Sequence, residues 1–472
     1  MAIIGRNHER EMLNRLESSG KSEFLAVYGR RRVGKTYLIK EHFNGKFAFY
    51  VTGAMNTSEI GYREQLDNFA EALFEYGAPE KPKLGSWAEA FRALRALIEQ
   101  SLAPGKKVIF IDEMPWLDTP RSKFISALDY FWNSFASSRK DVLLIACGSA
   151  TSWIVKKILQ NRGGLHNRVT MRMHIEPFTL AECEQYYAAN GIVMNRYQMV
   201  ESYMILGGIP YYLSLLDSRK SLYENIDNLF FSQRALLEGE YKALYESLFN
   251  EASAHLSIVA ALAKKAKGLN RKEIENATGL TDGGGLTRAL DELALSGFIR
   301  KYRAFSNKSK GAIFQLIDPF TLFHYKFISR NNDPHFWQKY SITPGHAAWS
   351  GYAFEMVCLS HAENIIRKIG AGNALTNIWS WKSDKSKPGA QIDLVVDRSD
   401  GVISLCEMKY LNTEVVVNAG YAKELRNKRA AFQAETKTRK ALHTVLVTTY
   451  GLINNEYASE IQTLVTMDDL FR

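Results

Sequence analysis

Between an apolar run, Phe24 to Val27, and a helical-looking stretch from Tyr37, residues 29–36 read Gly-Arg-Arg-Arg-Val-Gly-Lys-Thr. Glycines at the first and sixth positions let successive backbone amides turn inward around a phosphate, and the following helix adds the positive end of its dipole. The spacing therefore predicts a P-loop between a strand and a helix and, with it, a nucleoside triphosphate ligand. Lys35 is expected to reach the β and γ phosphates and the Thr36 hydroxyl to hold Mg²⁺. The loop as a whole, Gly29, Arg30, Arg31, Arg32, Val33, Gly34, Lys35, Thr36 and Tyr37, forms the candidate nucleotide cradle.

About 75 residues on, Lys107-Val-Ile-Phe-Ile-Asp-Glu is a continuous apolar strand ending in two acids, as expected for a strand buried on both faces of a parallel sheet. Asp112 is placed to bind Mg²⁺ and Glu113 to orient and deprotonate the attacking water. A third apolar run, Val142 to Gly148, ends at Ser149, a candidate for contacting the γ-phosphate or the water. Arg168 precedes the alternating run Val169 to Ile175. It is read either as a catalytic arginine acting on a neighbouring subunit's nucleotide, which implies a homo-oligomer, or as a surface ion pair.

Together these segments resemble the AAA-type ATPases of archaea and bacteria, in the group related to the signal-transducing STAND NTPases. The resemblance is carried by Ile4-Gly-Arg-Asn-His-Glu-Arg, GRRRVGKT, FIDEMPWL (110–117), CGSA (147–150), LHNR (165–168) and LGGIPYYL (206–213). It implies that Gly5 and Arg6 pack on the adenine and that residues 207–210 lie in a helical lid. His166 stands where that family often has tyrosine.

At 472 residues the chain is too long for one core. A hydrophobic content of 46% indicates a globular protein, and no apolar run approaches the ~20 residues needed to cross a bilayer. The N-terminus lacks the layout of a signal peptide, and Cys147, Cys183, Cys358 and Cys406 form no CxxC or Cys/His cluster. A reduced cytoplasmic setting without membrane contact is the expectation.

The net charge of +10 is uneven. Residues 261–310 hold eleven Lys/Arg against five Asp/Glu, and residues 421–440 hold seven against two, so these two stretches account for all of the excess. Clustered positive charge marks a polyanion partner or a solvated lysine face. The first stretch reads as a short helix ending near Gly279, a glycine-rich turn, a helix with Leu286, Leu290 and Leu293 on one face, and two strands joined by a loop with Lys308 and Lys310. That is a winged-helix layout, suited to DNA through Thr287, Arg288 and the loop lysines, or to protein docking.

The last 120 residues add a strand–turn–strand, residues 391–397 and 402–410. Asp393 lies on the first arm, Glu407 and Lys409 on the second; alternation puts the latter two on one face, and pairing can bring Asp393 opposite them. Two carboxylates beside a lysine make a hard oxygen site for Mg²⁺. With Glu355 on an upstream helix, the array resembles the PD-(D/E)XK nuclease superfamily, and Tyr421, Arg426 and Lys428 resemble the basic helix abutting such sites. Ile392 replaces the proline common before the first acid. The expected architecture is multidomain α/β. It comprises a parallel-sheet ATPase core (1–178), a helical lid (179–250), a winged helix (251–335) and a restriction-endonuclease-like α/β domain (336–472). ATP, Mg²⁺ and DNA are the expected ligands. The competing expectations are a nucleotide-switched regulator with an idle nuclease fold and a remodeller indifferent to DNA.

Overall fold

The computed structural model describes residues 3–55, 61–102, 104–160, 167–249, 251–302, 311–331, 333–372, 374–383 and 389–472. The chain forms two compact units, residues 1–176 and 177–472.

The first unit begins with α1 (Asn7–Glu17), then β1 (Glu23–Tyr28), α2 (Lys35–His42), β2 (Phe49–Thr52), α3 (Tyr62–Glu75) and α4 (Trp87–Gln100). It continues with β3 (Lys107–Asp112), α5 (Phe124–Ser134), β4 (Val142–Gly148) and β5 (Met171–His174). Its strands are all parallel, in the order β2-β3-β4-β1-β5. Every residue of β3 and β4 is buried, which explains why both read as unbroken apolar runs. Alternate residues of four strands, including Phe24, Ala26, Phe49, Ile109, Ile111, Leu144 and Ala146, share one core with Phe69, Trp87, Phe91 and Phe131 from the helices. Pairing of Val27 with Cys147, Ile111 with Ala146 and Thr52 with Asp112 aligns the carboxyl ends of the central strands. The P-loop, the two acids and Ser149 therefore leave the sheet along the same edge, where open α/β sheets bind ligands.

The second unit opens with α6 (Leu180–Ala189) and α7 (Arg196–Leu206), both started by capping boxes, Thr179 with Glu182 and Asn195 with Gln198. From Met199 to Leu206 every residue of α7 is buried, and the helix stops at Gly207 and Gly208, both with φ of +66°. After three shorter helices, Pro210–Leu213, Leu222–Phe230 and Glu240–Leu248, come α8 (Ala252–Ala263), β6 (Leu269–Asn270), α9 (Arg271–Thr278) and α10 (Gly284–Leu295). The antiparallel hairpin of β7 (Ile299–Tyr302) and β8 (Ile313–Leu316) follows. As read from sequence, α9 ends at Gly279 in the left-handed conformation, and Leu286, Leu290 and Leu293 form the buried face of α10. The three strands order as β6-β8-β7. Lys308 and Lys310 lie outside the described residues.

The chain then forms α11 (Pro344–Ser360), β9 (Thr376–Lys382), β10 (Gln391–Arg398), β11 (Val402–Lys409), α12 (Ala419–Thr436), β12 (Ala441–Thr448) and β13 (Thr463–Thr466). These strands make a mixed sheet, β13-β12-β11-β10-β9, with β9, β10 and β11 antiparallel and β11, β12 and β13 parallel. The α12 crossover makes the parallel β11–β12 step possible and packs Phe432 on Trp381, Ile392, Val395 and Leu405. Among the described residues no helix is long and apolar enough to cross a membrane.

The Gly-Gly pair after α7 has a steric cause. A Cβ on Gly208 would meet the Phe178 carbonyl oxygen at 2.3 Å, and Phe178 N donates to the Gly208 carbonyl at 2.8 Å. Gly191 has a similar φ of +67° but nothing within 4 Å. We predict that Gly208→Ala lowers stability by at least ~2–3 kcal/mol and Gly191→Ala by only ~1 kcal/mol, read from urea midpoints.

Candidate functional site

In the first unit the loop after β1 turns because Gly29 can adopt φ of +147°, a position where a Cβ would lie 2.2 Å from the Ile175 carbonyl oxygen. Arg32 and Gly34 also have positive φ, 74° and 90°, which curls the loop onto the start of α2. Lys35 is buried and its Nζ donates to the carbonyls of Gly29 and Arg30, both at 2.9 Å, so the ammonium sits inside the curve. Val33 and Arg30 are buried, Arg31 and Tyr37 exposed.

Thr36 Oγ1 donates to Asp112 Oδ2 at 2.7 Å, across the gap between α2 and the end of β3. Asp112 is buried, and its other oxygen accepts from Glu113 N at 3.0 Å. A hydroxyl and a carboxylate in contact at the loop mouth are the hard oxygen donors Mg²⁺ requires, so this pair fits the ion. Glu113 is held at φ 43°, ψ 41°, and its Oε2 accepts from both Ser149 N (3.2 Å) and Ser149 Oγ (2.8 Å). Sequence reasoning assigned Ser149 to phosphate or water; here its partner is the neighbouring acid.

Gly5 and Arg6 both have positive φ, and the buried Arg6 donates to Val33 O at 3.2 Å and Glu176 O at 2.7 Å. The opening segment is thereby tied to the P-loop. Arg168 is exposed just ahead of β5, while Leu165 and His166 lie outside the described residues.

In the second unit, the β10–β11 register runs from Asp397↔Ile403 to Leu394↔Cys406, so Asp393 and Glu407 are the next residues beyond the end of the paired ladder. A register irregularity between Ile392 and Val395 against β9 puts both of those side chains in the core beneath α12. Such a bulge re-aims the residues between them, Asp393 and Leu394. Glu407 Oε2 accepts from Lys428 Nζ at 2.9 Å, and its Oε1 lies 3.4 Å from Lys409 Nζ. Lys409 also sits over the Tyr421 ring at 5.0 Å. Lys428 and Tyr421 thus reach the site from α12, whereas Arg426 turns away to Glu460 at 2.6 Å.

Glu355, on α11, joins the two strand acids electrostatically. Burial, then the charges of Asp393 and Glu407, push its carboxyl up to about 8, against the opposing pull of Lys267 and Lys409. Among the described residues no three acidic, histidine or cysteine side chains close into a metal cage. The hard donors on offer to a divalent cation are Asp393 and Glu407, with Glu355 nearby, its carboxyl raised first by burial and then by the two neighbouring charges. The donor set therefore fits such an ion, in competition with the two lysines on Glu407.

Several residues around these acids escaped the sequence reading. Gln391 Nε2 donates to Asp393 Oδ1. Ser380 Oγ donates to Asp393 O at 2.7 Å. Arg300, on β7, donates to Ser380 Oγ at 3.2 Å. Only the three-dimensional meeting of β7, β9 and β10 reveals them.

An acid whose pKa is higher folded than unfolded binds more protons in the folded state, so it lowers stability as pH rises between the two values. In the absence of divalent cations, Glu355→Gln should therefore be more stable than wild type. The gap should open from about pH 5 to about pH 8 and then level off, as read by thermal unfolding across pH.

Comparison with known proteins covers the first unit and part of the second. Residues 4–216 match a family described as an ATPase domain predominantly from Archaea. An uncharacterized protein of Methanocaldococcus jannaschii is 25% identical over 332 residues, 70% of this chain and 69% of that protein. An uncharacterized ATP-binding protein of the same organism is 44% identical over 44 residues, 9% of this chain and 75% of that protein. Among solved structures, a Walker-type ATPase of Pyrococcus abyssi superposes with a TM-score of 0.49 at 16% identity, over 69% of this chain and 96% of that one. The ORC2 protein of Aeropyrum pernix gives 0.40 at 15% identity, over 76% and 95%.

Proposed function

We propose that the chain, whose residues 4–216 match a family described as an ATPase domain predominantly from Archaea, is an ATP-hydrolysing protein whose second unit binds DNA and cuts it in a metal-dependent reaction. The observation that carries the nuclease part is the gathering of Glu355, Asp393 and Glu407 at one end of a hairpin with Lys409 beside them.

In the ATPase reaction a water oxygen attacks the γ-phosphorus and the bond to the β-γ bridging oxygen breaks. Lys35 leaves its loop carbonyls to meet the β and γ oxygens, and Thr36 and Asp112 would hold Mg²⁺, which when bound neutralises charge on those oxygens. Glu113 takes the water's proton. Ser149 fixes the direction of that carboxylate through two hydrogen bonds, which makes it a positioning residue. Arg168, exposed before β5, is assigned the transition-state charge of a neighbouring copy's nucleotide.

In the nuclease reaction Asp393 and Glu407 would hold Mg²⁺, which when bound polarises the scissile phosphate. Water attacks phosphorus and the bond to the leaving sugar oxygen breaks; Lys409 steadies the attacking water and the charge developing on the non-bridging oxygens, and Glu355, held toward its protonated form, gives its proton to the leaving oxygen and recovers one from the attacking water. The region α8 to β8 has the helix, helix and hairpin order of a winged helix; Thr287 and Arg288 are exposed on α10, and the excess positive charge of residues 261–310 and 421–440 supports a polyanion partner.

A second reading is favoured by one observation. Glu407 is already neutralised by Lys428 and Lys409, as expected of a charge cluster that binds no ion. In that reading the chain is a nucleotide-switched regulator that holds DNA without cutting it.

Lys35→Ala should abolish ATP binding, and Ser149→Ala should keep binding while lowering turnover about 10- to 100-fold. Equilibrium nucleotide binding and phosphate release separate the two. Asp393→Ala should remove Mn²⁺- or Mg²⁺-dependent cleavage of linear, circular or single-stranded DNA and leave ATP turnover intact. Tight salt-dependent DNA binding without cleavage by the wild type would establish the regulator instead.

A further inference from the structure

The carboxylate site is not made by the C-terminal sheet alone. Arg300 extends from the β7–β8 hairpin toward β9 and is held at two points. Its Nε donates to Gln315 Oε1 at 2.6 Å, and its Nη2 donates to Ser380 Oγ at 3.2 Å. Ser380 donates in turn to the carbonyl of Asp393, so a chain of two hydrogen bonds links the guanidinium to the backbone of the strand acid. Gln315 is itself buried and fixed by donation to Ala266 O at 2.6 Å, and Tyr352, one helical turn before Glu355, donates to that same carbonyl at 3.1 Å. The guanidinium lies over the Tyr302 ring, 4.5 Å from its centre.

This arrangement fixes the plane of the fork but does not exhaust it. Among the described residues Arg300 makes no ion pair with a carboxylate, and Nη1 has no hydrogen-bond partner and is not sealed from solvent. Burial disfavours the charged form of Arg300 and the charges of Asp393 and Glu355 favour it, while the hydrogen-bonded path through Ser380 ends on the backbone of Asp393. The charge of Lys267, just before β6, likewise favours the charged form of Glu355. A guanidinium kept solely to neutralise acids would be expected to pair with one. A guanidinium held rigid beside them, with donors to spare, matches the geometry of a phosphate oxygen.

We propose that Arg300 is a substrate-binding residue of the carboxylate site, with Nη1 donating to a non-bridging oxygen of a nucleic-acid phosphodiester presented to Asp393 and Glu407. The hairpin and the C-terminal sheet then form one composite site rather than a tethering module beside a cutting module. This inference rests on the DNA-processing reading for the identity of the ligand, and its readout is binding rather than cleavage.

The test uses the full chain carrying Asp393→Asn, which prevents turnover, and a short labelled DNA duplex with Ca²⁺, titrated between about 50 and 200 mM salt. Arg300→Ala in that background should weaken binding about tenfold and reduce the slope of log affinity against log salt by about 0.9, the loss of one phosphate contact. Arg219→Ala, which removes a highly exposed arginine paired with Asp217, is the control and should change neither. Unchanged affinity and slope for a folded Arg300→Ala protein, or no duplex binding at all, overturns the proposal. If Arg300→Ala does not fold, Arg300→Lys carries the test: affinity should fall severalfold with the slope kept, and an unaltered affinity overturns it. Absence of cleavage by the wild type with Mn²⁺ would count against the nuclease reading alone and leave the slope measurement decisive for Arg300.

Discussion

Carboxylates gathered at one end of a sheet repel each other, and each unit of this chain is arranged around the way it contains that repulsion. In the first unit Asp112 is offset by the Thr36 hydroxyl and by the amide of Glu113, while Glu113 is offset by the amide and hydroxyl of Ser149. Each acid has fixed dipoles rather than a permanent counter-charge, so both remain available to an ion and a water. In the second unit Glu407 takes two lysines, Asp393 takes a glutamine amide, and Glu355 is pushed toward its protonated form. The cost of assembling three acids is thus divided among a counter-charge, a hydrogen bond and a retained proton.

The parallel sheet of the first unit was readable because its strands are buried on both faces and its ligand-binding loops follow them directly. GRRRVGKT, the acids after Ile111 and the serine after Gly148 each sit at a strand's carboxyl end, so local sequence was enough to place them. The β10–β11 hairpin was readable for a related reason: Asp393 and Glu407 are separated by one short turn, and the register follows from alternation. Glu355 was named from its helix alone, yet its influence depends on how α11 packs against β11.

What sequence did not disclose is long-range in origin. Ser149 was expected to face phosphate, but its partner is Glu113, a choice made by the relative height of β3 and β4. Arg426 and Lys428 lie two positions apart on one helix and looked equivalent; helical geometry sends one to Glu460 and the other to Glu407. Arg300, Gln315 and Ser380 come from three strands and carry no motif, so only the packing of the hairpin against the C-terminal sheet identifies them.

A cation site, rather than a structural charge cluster, is what we propose the acids of the second unit to be. Its most direct test is a Mn²⁺ titration followed by the electron paramagnetic resonance of the free ion, without nucleotide, comparing wild type with Asp393→Asn. Wild type should bind at least one ion that the variant does not. Equal binding by the two proteins would contradict it.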